Sequence, residues 1–270
     1  MPLSLAEARQ LASQNFRETC LRLSAACPGY QNYFEAELDA VTGPLEHPIV
    51  NFAFPGMITL ESVGRLRRLA EQNPAMYVYW MPNQAQIHGP EMLIRSGFSL
   101  LSNFVVMMGS HESSREVKSQ TSSIFEAGPN DRAEIAAFMV GQFFHEADPE
   151  TRAAIHQSVA SAHGTRLFGI QERHRIAAAM MLIEAPGTLG IYNLCVRSDR
   201  RQRGLGTALL NHALLRASES GLTPTLQCDA QIEPWYQQFG LKNIGNVQVF
   251  ALQDEDKTAI MDGHPGRKFA

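Results

Sequence analysis

Apolar positions recur at helical spacing over residues 3–23 with few breakers between them, and this predicts one or two helices. Residues 47–54, His-Pro-Ile-Val-Asn-Phe-Ala-Phe, predict a strand stopped by Pro55 and Gly56. A helix is expected over residues 60–71, ended by Asn73 and Pro74, and then an aromatic, β-branched strand over 76–80. A short helix over 90–95 closes at Gly97, and a strand covers 104–108. The serine-rich, charged stretch 109–123 reads as a linker.

The pattern then restarts. Asn130 is the expected N-cap of a helix reaching Phe144, and Pro149 opens a helix that ends at Gly164. Residues 165–170 and 175–184 predict a hairpin, and 190–196 a further strand. A helix over 206–220 stops at Gly221, a left-handed cap. A strand over 223–229, a short helix over 234–239 and a strand over 247–252 precede a polar tail.

The order of elements in the two halves is similar, and so are short segments of sequence. Ile49-Val-Asn51-Phe-Ala-Phe54 resembles Ile191-Tyr-Asn193-Leu-Cys-Val196, an offset of 193 − 51 = 142. The run from Gly97 to Asn103 resembles that from Gly240 to Asn246, an offset of 240 − 97 = 143. A shared offset across distant segments points to duplication.

Composition narrows the functional classes. Apolar residues make up 44% and charged residues 19%, enough apolar chain for a packed core. The net charge of −4 argues against a nucleic-acid partner. The longest apolar run, residues 176–183, is far too short for a bilayer, and residues 1–9 lack the basic-then-apolar build expected of a signal peptide. Four cysteines without a CxxC pair suggest neither zinc nor a redox motif, so a reduced, cytoplasmic protein is expected. His145-Glu146 lacks a second histidine four residues on, and His156 and His163, read as sharing one helix face, are taken as solvated; no metal is expected.

One segment carries chemistry. The strand ending Leu194-Cys195-Val196 runs into Arg197-Ser198-Asp199-Arg200, then Arg201-Gln202-Arg203-Gly204-Leu205-Gly206, then a helix starting near Thr207. Glycines let backbone approach an anion, and free N–H groups of a first helical turn receive phosphate. Three arginines, Arg200, Arg201 and Arg203, add positive charge. A Walker loop is excluded because no Gly-Lys-Ser/Thr follows, and the dinucleotide pattern lacks its third glycine. A basic turn that merely caps a helix is the alternative.

This context resembles the GCN5-related N-acetyltransferase (GNAT) superfamily over roughly residues 123–253. The family's phosphate loop, Arg/Gln-x-x-Gly-x-Gly/Ala, is matched by Arg201, Gly204 and Gly206, and Val196 stands eight residues before the first glycine. The downstream Tyr-x-x-x-Gly-Phe signature reads Tyr236-Gln-Gln-Phe-Gly240-Leu241, and Asp229 stands where the family often has asparagine. The resemblance implies an α/β (α+β) fold of two tandem GNAT-like domains, each a mixed, mostly antiparallel central sheet flanked by helices. The expected domains are a degenerate copy over 1–110, a linker over 111–122, a catalytic domain over 123–253 and a tail over 254–270. In the first half the loop position reads Phe54-Pro-Gly-Met-Ile-Thr-Leu-Glu61, without arginine, and Leu93 replaces the tyrosine.

The implied activity is direct acetyl transfer from acetyl-CoA to an amine, borne by a small molecule or a peptide, with no nucleic acid or membrane partner. Homodimerisation is left open. Main-chain groups of Leu194 and Val196, with Arg201, Gln202, Arg203, Gly204, Leu205, Gly206, Thr207 and Asp229, are the expected cofactor contacts. Tyr236 is the expected general acid, since a phenol is protonated at neutral pH. Glu184 is the leading candidate base; His145, Glu146, Tyr192, Asn193 and a water chain stand beside it. The rival class is an acyl-CoA-binding sensor or scaffold without turnover.

Overall fold

A computed structural model describes residues 3–35, 38–83, 88–110 and 124–253. The expected linker 111–122 and the tail 254–270 lie outside the described residues.

The first half comprises α1 (Leu5–Ala25), β1 (Gln31–Glu35), β2 (Leu38–Thr42), β3 (Phe52–Pro55), α2 (Leu60–Gln72), β4 (Tyr77–Trp80), α3 (Gly89–Arg95) and β5 (Phe98–Met108). The second comprises β6 (Ile124–Glu126), α4 (Arg132–Phe143), α5 (Pro149–Ser161), β7 (Thr165–Glu172), β8 (Arg175–Ala185), β9 (Thr188–Val196), α6 (Leu205–Glu219), β10 (Thr223–Cys228), α7 (Glu233–Gln237) and β11 (Lys242–Leu252). The expected mixed, mostly antiparallel sheets flanked by helices are present in both halves: β3–β4 and β9–β10 pair in parallel, and the other ladders are antiparallel.

The two sheets are joined into one, in the order β1-β2-β3-β4-β11-β5-β10-β9-β8-β7-β6. The last strand of each half has crossed into the other. β11 pairs with β4, β5 pairs with β10, and β5 and β11 pair with each other from Lys242↔Met108 to Leu252↔Phe98. Two bulges interrupt that central ladder, one at Ile244 and one at Leu101. Their separation, 244 − 101 = 143, equals the offset between Gly240 and Gly97. The duplication read from short sequence matches is therefore visible in the backbone, as irregularities at equivalent positions.

Alternation along the strands assigns the helices to faces. Phe104, Val106 and Met108 pack with α1, while Val105 and Met107 pack with α6. Tyr79 and Met81 lie on the α1 side, Val78 and Trp80 on that of α2 and α3. Ala179, Met181 and Ile183 lie under α4 and α5, Ala178, Met180 and Leu182 under α6. So α1, α4 and α5 cover one face, and α2, α3, α6 and α7 the other.

Helix α1 belongs to the first half by sequence but is pinned to the second. It starts with a capping box between Ser4 and Glu7. Asn15 is fully buried and donates through Nδ2 to Ile183 O (3.2 Å) and Thr188 Oγ1 (3.0 Å), while its Oδ1 accepts from Tyr192 Oη (2.7 Å). Arg22 donates to Gly164 O and Glu184 O, and Leu23 O accepts from Ser158 Oγ at 2.6 Å.

Several expectations shift. The strand expected over 47–54 begins only at Phe52, because Asn51 turns inward to accept from Gly43 N and donate to Leu45 O and His47 O. The hairpin β1–β2 was not anticipated. Asp131, not Asn130, precedes α4, and its Oδ2 accepts from Gly128 N. Helix α5 ends at Ser161, so His163 is off the helix that carries His156. Gly190 lies directly beneath Asn15: a Cβ there would overlap Asn15 Oδ1 and the Tyr192 ring. Because three hydrogen bonds hold Asn15, it cannot swing aside. Gly190→Ala should therefore destabilise the protein by about 2–3 kcal/mol in urea denaturation, with the slope unchanged.

Candidate functional site

The site grows from a parallel pair that comes apart. β9 and β10 pair only at Thr223↔Thr188, Pro224↔Leu189 and Thr225↔Gly190, after which β9 runs on to Val196 and β10 to Cys228 without pairing. Pro224 turns its carbonyl toward β5, where it accepts from Gly109 N, and beyond it β10 is held on that edge by β5, through Gln227↔Val106 and Cys228↔Val105. β9 is bent by a bulge, in which Asn193 and Leu194 stand opposite Met180. Asn193 takes φ +51°, a left-handed conformation that asparagine tolerates better than most residues.

Register decides where the main chain of β9 points. Arg197 N donates to Ala177 O, so that pair is the hydrogen-bonded one and the next, Ala178↔Val196, is not. The Val196 N–H and C=O are thus turned away from β8 and into the gap, and by alternation so are those of Leu194. The side chains of Leu194 and Val196 pack with Leu205, Tyr236 and Trp235 on the α6 side, whereas Tyr192 and Cys195 lie on the opposite side.

At the end of β9 a single 3-10 turn, Ser198–Arg200, leads into the glycine loop. Gln202 (φ +61°) and Gly204 (φ +77°) adopt the left-handed region, and Gly204 is the N-cap of α6 without any side-chain cap. Helix α6 has 15 residues, and its first turn opens toward the loop. Arg200 is not available to a ligand: its Nε lies 2.9 Å from Glu172 Oε2, off the hydrogen-bond axis, with Asp199 also close. Arg201 and Arg203 are exposed and have no ion-pair partner among the described residues. The expected triple positive charge thus reduces to two. A Cβ on Gly206 would meet Val196 Cγ2 at 3.5 Å and the Trp235 ring at 3.9 Å, ordinary contact distances.

Tyr236 is buried on α7, its ring 4.7 Å from that of Trp235. Burial, and then the neighbouring Cys228 thiol, hold its hydroxyl far above the usual tyrosine range, and no described residue hydrogen-bonds to it. Burial pushes the Cys228 thiol up to about 12, helped by the charges of Glu233 and Asp229. Asp229 follows β10 directly, half-buried, its carbonyl accepting from Ile232 N.

Glu184 is not brought to this group. It pairs across the ladder with Leu189, five residues before Leu194, which is on the order of 16 Å along the strand. It is exposed and held by Arg166, Nη1 to Oε1 at 3.3 Å. The sequence reading placed it on the right strand but at the wrong end. Tyr192 is spoken for as a donor to Asn15, and burial raises its hydroxyl. His145 and Glu146 stand exposed between α4 and α5, 3.7 Å apart. Trp235 was missed, although its place beside Tyr236 at the start of a short helix could have flagged it. Asn15 and Gln227 were missed too, and no local motif marks either one.

The matching positions of the first half are closed. Thr59 caps α2 with its own side chain, accepting from Ser62 N while Ser62 Oγ accepts from Thr59 N. Leu93, at the tyrosine position, is fully buried. Trp80 at the end of β4 lies flat on Gly89, leaving no room for a Cβ.

Comparison with known proteins gives a consistent result. Residues 134–252 match the family model described as an acetyltransferase (GNAT) domain. A comparison with curated proteins finds no match. Among solved structures, a GCN5-related N-acetyltransferase from Kribbella flavida is similar at 14% identity, TM-score 0.68, covering 92% of this chain and 96% of that one. A tandem GNAT protein from the clavulanic acid biosynthesis pathway is similar at 13% identity, TM-score 0.57, covering 91% and 93%. A GCN5-related N-acetyltransferase from Sphaerobacter thermophilus is similar at 13% identity, TM-score 0.55, covering 90% of each chain. At these identities the likeness is one of fold.

The two loop glycines differ in what they tolerate. Gly204→Ala should cost about 1 kcal/mol, because its φ is left-handed, whereas Gly206→Ala should change stability by less than about 0.5 kcal/mol. Urea denaturation of the two variants side by side measures the difference.

Proposed function

We propose, from the match of residues 134–252 to the acetyltransferase (GNAT) domain model, that the protein transfers an acetyl group from acetyl-CoA to an amine. The observation that carries this reading is the uncapped α6 N-terminus, which opens beside a main-chain edge that faces a gap between strands. Residues 201–207 supply N–H groups and two unpaired arginines to a pyrophosphate. The Leu194 and Val196 main chains offer alternating donors and acceptors to an amide-bearing arm. Acetyl-CoA supplies an activated thioester. Asp229 at the mouth of the gap is an acceptor only, so it can meet a donor of the cofactor but not its carbonyls.

In the transfer the amine nitrogen bonds to the acetyl carbon, the carbon–sulfur bond breaks, the amine loses a proton and the departing sulfur gains one. The Val196 N–H faces the gap and can receive charge that develops on the carbonyl oxygen. Tyr236 is the proton donor for the sulfur. Its pKa is raised, so it stays protonated as pH rises through 10 and carries no alkaline limit of its own in the working range. The base is not Glu184, given its distance. The exposed pair His145 and Glu146, or water reaching the acceptor side, takes that role.

The first half does not hold a second cofactor, because Thr59 and Ser62 satisfy the N-terminus that a phosphate would need. An acyl-CoA sensor without turnover shares every cofactor contact and differs only at Tyr236.

Two measurements test this. Acetyl-CoA at about 100 times its Kd should stabilise the wild type by about 2.7 kcal/mol in a thermal-shift assay, and Gly204→Glu should abolish the effect. Thr59→Ala should cost about 1 kcal/mol of stability while leaving that effect intact; equal stabilisation of wild type and Gly204→Glu would sink the assigned loop. Tyr236→Phe should lower kcat for thiol release with an amine panel by about 100-fold, with acetyl-CoA affinity unchanged. Binding of acetyl-CoA without turnover of any amine would favour the sensor.

A further inference from the structure

Where β9 ends and the turn before the glycine loop begins, the chain forms a solvent-open cavity of about 680 Å³. Three elements meet there: the first half of α4, the tip of the β7–β8 hairpin, and the turn at 198–200. Phe138, half-buried on α4, and Ile176, buried at the start of β8, give it an apolar surface. Two arginines of its wall are satisfied by the chain itself. Arg197 Nε donates to Asp199 Oδ1 at 2.6 Å, and Arg200 Nε lies 2.9 Å from Glu172 Oε2. The other charged groups are open. Arg173 and Arg175 are exposed at the hairpin tip, and Glu134 is exposed in the first turn of α4. None of these three has an ion-pair partner among the described residues.

The hairpin tip presents its arginines from an uncommon backbone. Glu172 pairs with Arg175, so the loop between them is Arg173 at φ +49° and His174 at φ +61°. Such a turn normally takes asparagine and glycine, which tolerate the left-handed region. Strained backbone of this kind gathers at ligand sites. The charge pattern then limits what fits. An anion alone would meet Glu134, and a cation alone would meet Arg173 and Arg175. A molecule with both charges, and an apolar part for Phe138 and Ile176, meets each group with its complement.

We propose that this cavity is an effector site for a free α-amino acid with an apolar side chain, its carboxylate held by Arg173 and Arg175 and its ammonium by Glu134. The volume admits such a molecule together with bridging waters. The site is separate from the acceptor position. Glu134 is in the first turn of α4, whereas His145 and Glu146 follow its last, on the order of 15 Å further along. The link to the cofactor runs through Glu172, which sits on the hairpin and holds Arg200, the residue before the glycine loop. A ligand that ties down Arg173 and Arg175 fixes the hairpin, the Arg200 anchor and the start of the loop, so it strengthens cofactor binding. This second step rests on the assignment of residues 201–207 to acetyl-CoA; the binding of the amino acid does not.

The probes are L-leucine, L-leucinamide, which lacks the carboxylate, and isocaproate, which lacks the amine. Each is titrated into the full-length protein by calorimetry. CoA, which has no acyl group to transfer, is titrated with and without saturating leucine. Leucine should bind about tenfold more tightly than either analogue, the size of one charge-assisted hydrogen bond. It should tighten the Kd of CoA about fivefold, and CoA should tighten leucine by the same factor. Arg175→Gln and Glu134→Gln, both at exposed positions, should each weaken leucine about tenfold and leave the affinity for CoA alone unchanged. Glu172→Gln should bind leucine and lose its effect on CoA. Absence of leucine binding, or equal binding of the three probes, overturns the site. So does leucine binding that survives both Arg175→Gln and Glu134→Gln, which would place it at the acceptor position instead. Leucine binding with no change in CoA affinity overturns the regulatory link. If CoA itself does not bind, the cofactor reading falls, while the difference between leucine and its analogues still decides the cavity.

Discussion

The antiparallel pairing of β5 with β11 is the constraint on which the rest of the molecule depends. Each strand ends its own half and lies beside the penultimate strand of the other, β10 for β5 and β4 for β11. Without β5, β10 would lose the neighbour that holds Gln227 and Cys228 once β9 has diverged. The gap between β9 and β10 is therefore kept open from one side by β9's bulge and from the other by a strand of the first half. A strand left with one unpaired edge is stable only if its other edge is fully satisfied. The first half therefore supports the geometry of the second.

Helix α1 adds a second tie across the same boundary. Its buried Asn15 satisfies one carbonyl and two hydroxyl groups of the C-terminal half, and each would be costly to bury alone. Polar ties of this kind specify geometry more than they add stability. An apolar helix face could slide over the sheet, whereas three hydrogen bonds at one side chain fix its register above Gly190 and Tyr192.

Much of this could be read from residues alone, and what could not has identifiable causes. Long periodic helices such as α1 and α6, and the loop from Arg201 to Gly206, carry local signals of spacing and turn chemistry. The offset of 143 residues exposed the duplication because glycine and asparagine recur at bulges and turns where side-chain identity is constrained. The exchange of β5 and β11 left no such mark, because a strand's alternation shows which face is buried and not which neighbour it has. β1 was missed because residues 31–34 are exposed throughout, so an edge strand showed no alternation. Glu184 was misplaced because strand membership was legible and ladder register was not. Gln227 and Asn15 matter through contacts 35 or more residues away, which no window along the chain displays.

The two halves also differ at the N-terminus of the helix that follows their equivalent strands. An N-terminal helical turn with no side-chain cap forgoes about 1 kcal/mol of stability, and the left-handed Gly204 before it increases the entropy lost on folding. Helices α3, α4 and α7 also lack a side-chain cap, and what sets α6 apart is the left-handed Gly204 at its N-cap. In the first half the same position has acquired Thr59 and Ser62, which close the turn on themselves, and Trp80 and Leu93 fill the space beside it. Each of these changes stabilises the frame and excludes a phosphate. The first copy braces the second through β5 and α1, and of the two equivalent helix N-termini, α2 and α6, only that of α6 is left without a side-chain cap.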